Sequence, residues 1–151
     1  MRHLFEADTV DEVHQRLQQL RPESRRQWGK MTVTQMLAHC SAGLEMAMGQ
    51  VRPPRMLIGR IMGPLVKPLA LLENAEMRRN VPTARELVIA VDERDFAKER
   101  TKLSELIASF AAAGSGGCTT HPHFFFGRLK PEEWAALMYK HLDHHLRQFG
   151  A

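Results

Sequence analysis

Residues 131–150 read PEEWAALMYKHLDHHLRQFG. Pro131 suits a first helical position, because its fixed φ is already helical and its missing N–H would have no intrahelical acceptor. Glu132 and Glu133 then place negative charge at the positive end of the helix dipole, and Gly150 stands where a left-handed terminating residue belongs. At 100° per residue, Trp134, Leu137, Met138, His141, His145 and Phe149 share one face, with Lys140, Asp143 and Arg147 on the far side. Such a helix buries its apolar face against other helices, and two histidines go inward with it.

Working outward, the rest of the chain supplies those partners. Asp92 precedes a pattern with Phe96, Leu103, Leu106, Ile107 and Phe110 on one face, which stops at Gly114-Ser115-Gly116-Gly117. Further upstream, Thr32-Val33-Thr34-Gln35 has the form of a capping box, in which hydroxyl and side-chain amide each satisfy a free backbone N–H. It opens a helix with Val33, Met36, Leu37, Cys40, Leu44, Ala47 and Met48 at helical spacing, ended by Gly49. Thr9-Val10-Asp11-Glu12 predicts the start of a short first helix whose Val10, Val13, Leu17 and Leu20 face the core until Pro22. Between Val51 and Pro82 the chain is rich in proline, which predicts a long crossover holding one broken helix. Glu86 to Val91 is a short apolar run, either a strand or an extended connector, with no evident partner strand. The expectation is an all-α, four-helix bundle with a long crossover between the second and third principal helices, a single domain over residues 1–151.

Composition narrows the function classes. Hydrophobic residues make up 44% and charged residues 25% of the 151, the balance of a globular chain rather than a disordered or collagenous one. Acidic and basic residues alternate, so the net charge of +4 reads as a solvated surface. The doublets Arg25-Arg26 and Arg78-Arg79 lack the interleaved aromatics of a nucleic-acid groove. The most apolar stretch, Met56 to Leu72, is interrupted by Arg60, Pro64, Lys67 and Pro68 and falls short of a membrane span; its Gly59 and Gly63 have the spacing of close helix packing. Two cysteines, Cys40 and Cys118, show no disulfide framework, and the N-terminus lacks a secretory apolar run, so a cytoplasmic location is expected.

Histidine is the unusual residue. Of eight, five fall between His121 and His145. His141 and His145 are one helical turn apart, close enough for both imidazoles to turn toward one ion. His39, on the second helix, shares a broad face with Met36 and Gly43 and has no acidic residue at i±4 to pair with. If the two helices are neighbours, His39, His141 and His145 meet. Three neutral imidazoles favour zinc, nickel or iron over magnesium or calcium, and a three-ligand site leaves a position for water or substrate. Gln35 and Gln148 are candidates to orient the imidazoles by hydrogen bonds. His144 lies at the edge of the face, and His121 and His123, in the loop HPHFFFG, are candidates for the pocket wall. Cys40 and the methionines read as core filler.

The pairing of MTVTQMLAHCSAGLEMAMG (31–49) with HPHFFFGRLKPEEWAALMYKHLDHHLRQFG (121–150) resembles the DinB-like superfamily of helix bundles, in an uncharacterised branch whose members end in a similar helix. The resemblance implies an up-down-down-up bundle and a divalent metal on His39, His141 and His145. The superfamily includes transferases and isomerases that use low-molecular-weight thiols, and metal-dependent hydrolases. It thus implies an enzyme that activates a thiol or water toward a small-molecule substrate; the expectation of no nucleic-acid or membrane partner rests on the charge pattern and hydropathy instead. One alternative is a non-catalytic bundle in which the metal cross-links helices, or in which Met56–Leu72 mediates homodimerisation or ligand sequestration; another is that the inward histidines are ordinary core residues hydrogen-bonded to backbone and to each other.

Overall fold

Thr32 and Gln35 close their capping box: Gln35 N donates to Thr32 Oγ1 at 3.2 Å, and Thr32 N donates to Gln35 Oε1 at 2.9 Å. In the computed structural model, which describes residues 2–72, 76–79, 83–90 and 94–151, this box opens the second of five helices. They are α1 (Ala7–Gln19), α2 (Val33–Ala47), α3 (Leu57–Ala70), α4 (Phe96–Ala113) and α5 (Pro131–Gln148), with 3-10 turns at Arg85–Leu87 and Gly114–Gly117. Among the described residues there is no strand, only an isolated bridge between His123 and Gly127.

The apolar faces decide the packing. α1 and α2 each pack against both α4 and α5, which closes a ring of four helices. α2 is buried on nearly every side, including at His39, Ser41 and Gly43. A helix that is apolar all round belongs at the centre of a bundle, and α2 is covered by α4, α5 and the turn at Arg85–Leu87. Trp134 and Phe110 are the largest fully buried side chains, and Leu37, Leu44, Ile107 and Leu142 are buried in the same core.

Several expectations are corrected. α1 begins at Ala7, not after Thr9: the Thr9 hydroxyl is buried and donates to Glu6 Oε2, while Thr9 N and Val10 N reach Glu6 O. A turn that starts with Glu6 therefore extends the helix backward past the Thr9 box. Leu20 lies just beyond the helix end but stays in the core. Asp92 and Val91 lie outside the described residues; α4 is capped by Asp95, whose carboxylate accepts from Lys98 N at 2.8 Å. The described part of the 86–91 run is the end of a 3-10 turn followed by irregular chain. Lys140, assigned to the outer face of α5, is buried and donates from Nζ to Leu72 O. α5 otherwise begins and ends as its caps predict, with Pro131 at its start and Gly150 at φ 76°.

α3 is one continuous helix although Pro64 and Pro68 lie inside it. The two prolines are four residues apart and exposed, so the carbonyls they deprive of intrahelical donors, Arg60 O and Pro64 O, belong to residues open to water. Its buried side is glycine. A Cβ at Gly63 would stand 2.2 Å from Phe125 O, and one at Gly59 would stand 2.7 Å from Phe125 Cα. The small-residue spacing thus serves close approach to the Phe124–Phe126 loop rather than to another helix. No helix among the described residues is long and apolar enough to cross a membrane.

Gly63→Ala is expected to cost about 1–3 kcal/mol through overpacking and to speed tryptic cleavage after Arg60, whereas Gly116→Ala, with nothing within 4 Å, leaves the urea midpoint unchanged. Equal midpoints for the two variants would contradict the close docking of α3.

Candidate metal centre

α2 and α5 pack side by side, and their histidines meet. The His39, His141 and His145 rings lie 4.7–4.9 Å apart centroid to centroid, all edge to face. Each offers one ligand nitrogen, and the three nitrogens lie within 4.8 Å of one another. His39 and His145 are buried, and His141 is partly open.

Two of the imidazoles, His39 and His145, are oriented by oxygens that can only accept. His39 Nδ1 lies 2.8 Å from Leu87 O, so Nδ1 carries the hydrogen and Nε2 keeps its lone pair. His145 Nδ1 lies 2.8 Å from Gln148 Oε1. The Gln148 amide is itself oriented, because its Nε2 donates to Trp28 O at 2.8 Å. The same tautomer follows for His145. His141 Nε2 lies 2.9 Å from His39 Nε2, so one proton is shared between two ring nitrogens aimed at each other. Space is made by two glycines. A Cβ at Gly43 would press on His141 Nδ1 and Cε1 at 3.2 Å, and one at Gly29, where φ is 78°, would stand 2.5 Å from Gln148 Nε2.

Burial keeps all three rings neutral. It lowers the His39 pKa against the raising effect of the Leu87 carbonyl, and it pushes His145 down to about 3 with help from His39. His141 is held well below the ordinary histidine value by burial first and by the neighbouring His145 and His39 second. The grouping contains no carboxylate. Three neutral imidazoles with converging nitrogens, two of them held by carbonyl oxygens on their opposite edges, could hold a metal ion.

Of the remaining sequence candidates, Gln148 is brought to the triad and Gln35 is not, its side chain being occupied by the α2 cap. His144 meets His145 edge to face at 5.0 Å and Trp28 at 5.6 Å, so it stands beside the triad. Its pKa is lowered by burial and by Arg79, whose guanidinium covers the Trp28 ring at 4.0 Å. His123 is buried in the aromatic loop, stacked on Phe124 at 4.3 Å, and its Nδ1 accepts from Phe125 N and Phe126 N. His121 lies in the same loop, its backbone N donating to Thr119 Oγ1. Neither joins the three-histidine grouping. Both cysteines are unpaired; burial raises the pKa of each, to about 11 at Cys118, which makes them poor nucleophiles. Sequence reasoning missed the Leu87 carbonyl and the Trp28-Gly29 seat of Gln148. Neither carries a local signal, since both act through backbone atoms.

A family model matches residues 2–151, and its description is protein of unknown function (DUF1569). Comparisons with curated proteins and with solved structures gave no match.

His123 and His145 both have folded pKa values near 3 against 6.5 for the free side chain. Between those values the unfolded chain binds more protons, so their contribution to stability is fully present above pH 6.5 and is lost as pH falls toward 3. With a chelator present, lowering the pH from about 7.5 to about 5 is expected to cost on the order of 2 kcal/mol per histidine, read as a fall in the urea midpoint. A midpoint that is flat over this range would refute the neutral assignment.

Proposed function

With the chain a member of the DUF1569 family, we propose that it is a metal-dependent enzyme of the DinB-like kind, in which His39, His141 and His145 hold one divalent ion. The observation that supports this is the pair of carbonyl-bound Nδ1 atoms on His39 and His145. Two rings locked by their outer edges, with a third whose Nε2 meets His39 Nε2 at 2.9 Å, bring three ring nitrogens together, and moving the His141 proton to Nδ1 would turn all three into lone-pair donors. The ion would supply Lewis acidity, lowering the pKa of a thiol or water near neutral pH.

The protein's own groups do the positioning. Leu87 O and Gln148 Oε1 fix which ring nitrogens face inward, and Gly43 leaves room for the His141 ring. His144 and Trp28 form a wall beside His145 that would contact a bound small molecule. The reaction is transfer of a low-molecular-weight thiol to an electrophile, or hydrolysis of a small substrate, in the cytoplasm. The ring of α1, α4, α2 and α5, with residues 48–95 connecting α2 to α4, supports the up-down-down-up bundle for this chain.

Metal analysis of protein purified without a histidine tag is expected to find one divalent ion per chain. His39→Ala combined with His141→Ala should abolish it, together with the rise in Tm on adding zinc or nickel. Absence of stoichiometric metal, with an unchanged Tm response in the double variant, would sink the proposal. A fourth protein ligand closing the coordination sphere would instead favour a non-catalytic cross-link between α2 and α5.

A finer check concerns the groups around the triad. Gln148→Ala and Gly43→Ala are each expected to weaken metal affinity about 10–100-fold by disturbing a ligand's orientation, while Gln35→Ala, which removes only a helix cap, leaves affinity unchanged. Competition with a chromophoric chelator measures all three, and equal affinities would refute the assigned orienting roles.

A further inference from the structure

α3 carries Leu57, Ile58, Ile61, Met62, Leu65 and Leu69, with exposures from 40% at Met62 to 78% at Leu57. At 100° per residue they form one stripe about 140° wide, with no charged side chain in it. Leu72, also exposed, continues it past the helix end. Most monomers confine contiguous apolar surface to a few hundred Å²; this stripe presents on the order of 800 Å², the share each partner gives to a stable complex of ordinary size.

The stripe cannot be hidden by turning the helix over. Gly59 and Gly63 lie against the backbone of Phe125 at distances no Cβ tolerates, so a half-turn of α3 would drive leucine and isoleucine into that backbone. The helix is also tied down along its length. Met56 N donates to Phe124 O at 3.0 Å, Lys67 Nζ donates to Arg128 O at 2.9 Å, and Lys67 Nζ pairs with Glu133 Oε2 at 2.7 Å. The apolar face is thus a fixed outward surface.

We propose that the α3 stripe is the interface of a homodimer, covered by the same face of a second copy of this chain. Charge favours that occupant over a lipid surface. The two cations of α3, Arg60 and Lys67, are turned away from the middle of the stripe, and Lys67 is engaged with Glu133. A helix lying in a membrane surface is rich in Lys and Arg along its polar face, whereas α3 has only Arg60 and Lys67, and the second is neutralised by Glu133. An uncharged aliphatic face is complementary to itself, which is what a two-fold pairing requires. This dimer is independent of the metal proposal, since none of its residues touches the histidine triad.

Light scattering across the micromolar range is expected to give twice the chain mass for the full-length protein. Ile61→Glu with Leu65→Glu should give the single-chain mass with unchanged helical circular dichroism and unchanged metal content. Both positions are exposed, at 72% and 68%, so the fold does not depend on them. Arg60→Glu, on the other side of the helix, should remain dimeric. A wild-type monomer at every concentration, or a double variant that stays dimeric, would overturn the proposal. So would a monomer that sediments with phosphatidylserine-containing vesicles, which would assign the face to a membrane.

Discussion

Imidazoles packed edge to face inside an apolar bundle have to stay neutral, because a charge there would be desolvated and would face two like neighbours. That constraint sets what surrounds them. Each neutral ring has one N–H and one lone pair, and buried polar atoms have to be matched. Leu87 O and Gln148 Oε1 match two N–H groups on the outer edges. The inward nitrogens of His39 and His141 meet at 2.9 Å with one proton between them, and moving that proton to the far nitrogen of His141 would leave lone pairs facing one another, a costly arrangement unless something electropositive sits among them.

Chain segments remote in sequence contribute to meeting it. The turn at Arg85–Leu87, within the long crossover, delivers a carbonyl to His39 on α2. The Trp28–Gly29 segment ahead of α2 receives Gln148 from the end of α5, and Gly29 leaves space for the amide. Lys140, one residue before His141, reaches Leu72 at the end of the α3 segment, so the crossover is tied to α5 next to the triad. The Arg85–Leu87 turn and the end of the α3 segment thus each reach a helix that carries the triad.

Legibility in the sequence followed how local each signal is. The Thr32–Gln35 box and the Pro131 and Gly150 ends of α5 involve atoms within one turn, and they form as read. The Thr9 box did not, because Glu6 offers a competing start one turn earlier that also engages the Thr9 hydroxyl. Lys140 was placed in solvent by helical phase, but phase cannot see that the C-terminal end of the α3 segment covers that side of α5. The Gly59 and Gly63 spacing has the form of close helix packing, yet its partner is the backbone of an aromatic loop more than 60 residues later.

The sequence by itself determined that the chain is helical, where α2 and α5 begin and end, and which faces of α2 and α5 carry histidine, because each of these depends on periodicity and caps within a few residues. Only the tertiary structure decided that those two faces meet, that His39, His141 and His145 converge while His121, His123 and Gln35 do not, and that the apolar side of α3 faces outward. Those outcomes depend on which helix packs against which and on backbone carbonyls and glycine clearances supplied from distant positions, information that no local pattern contains.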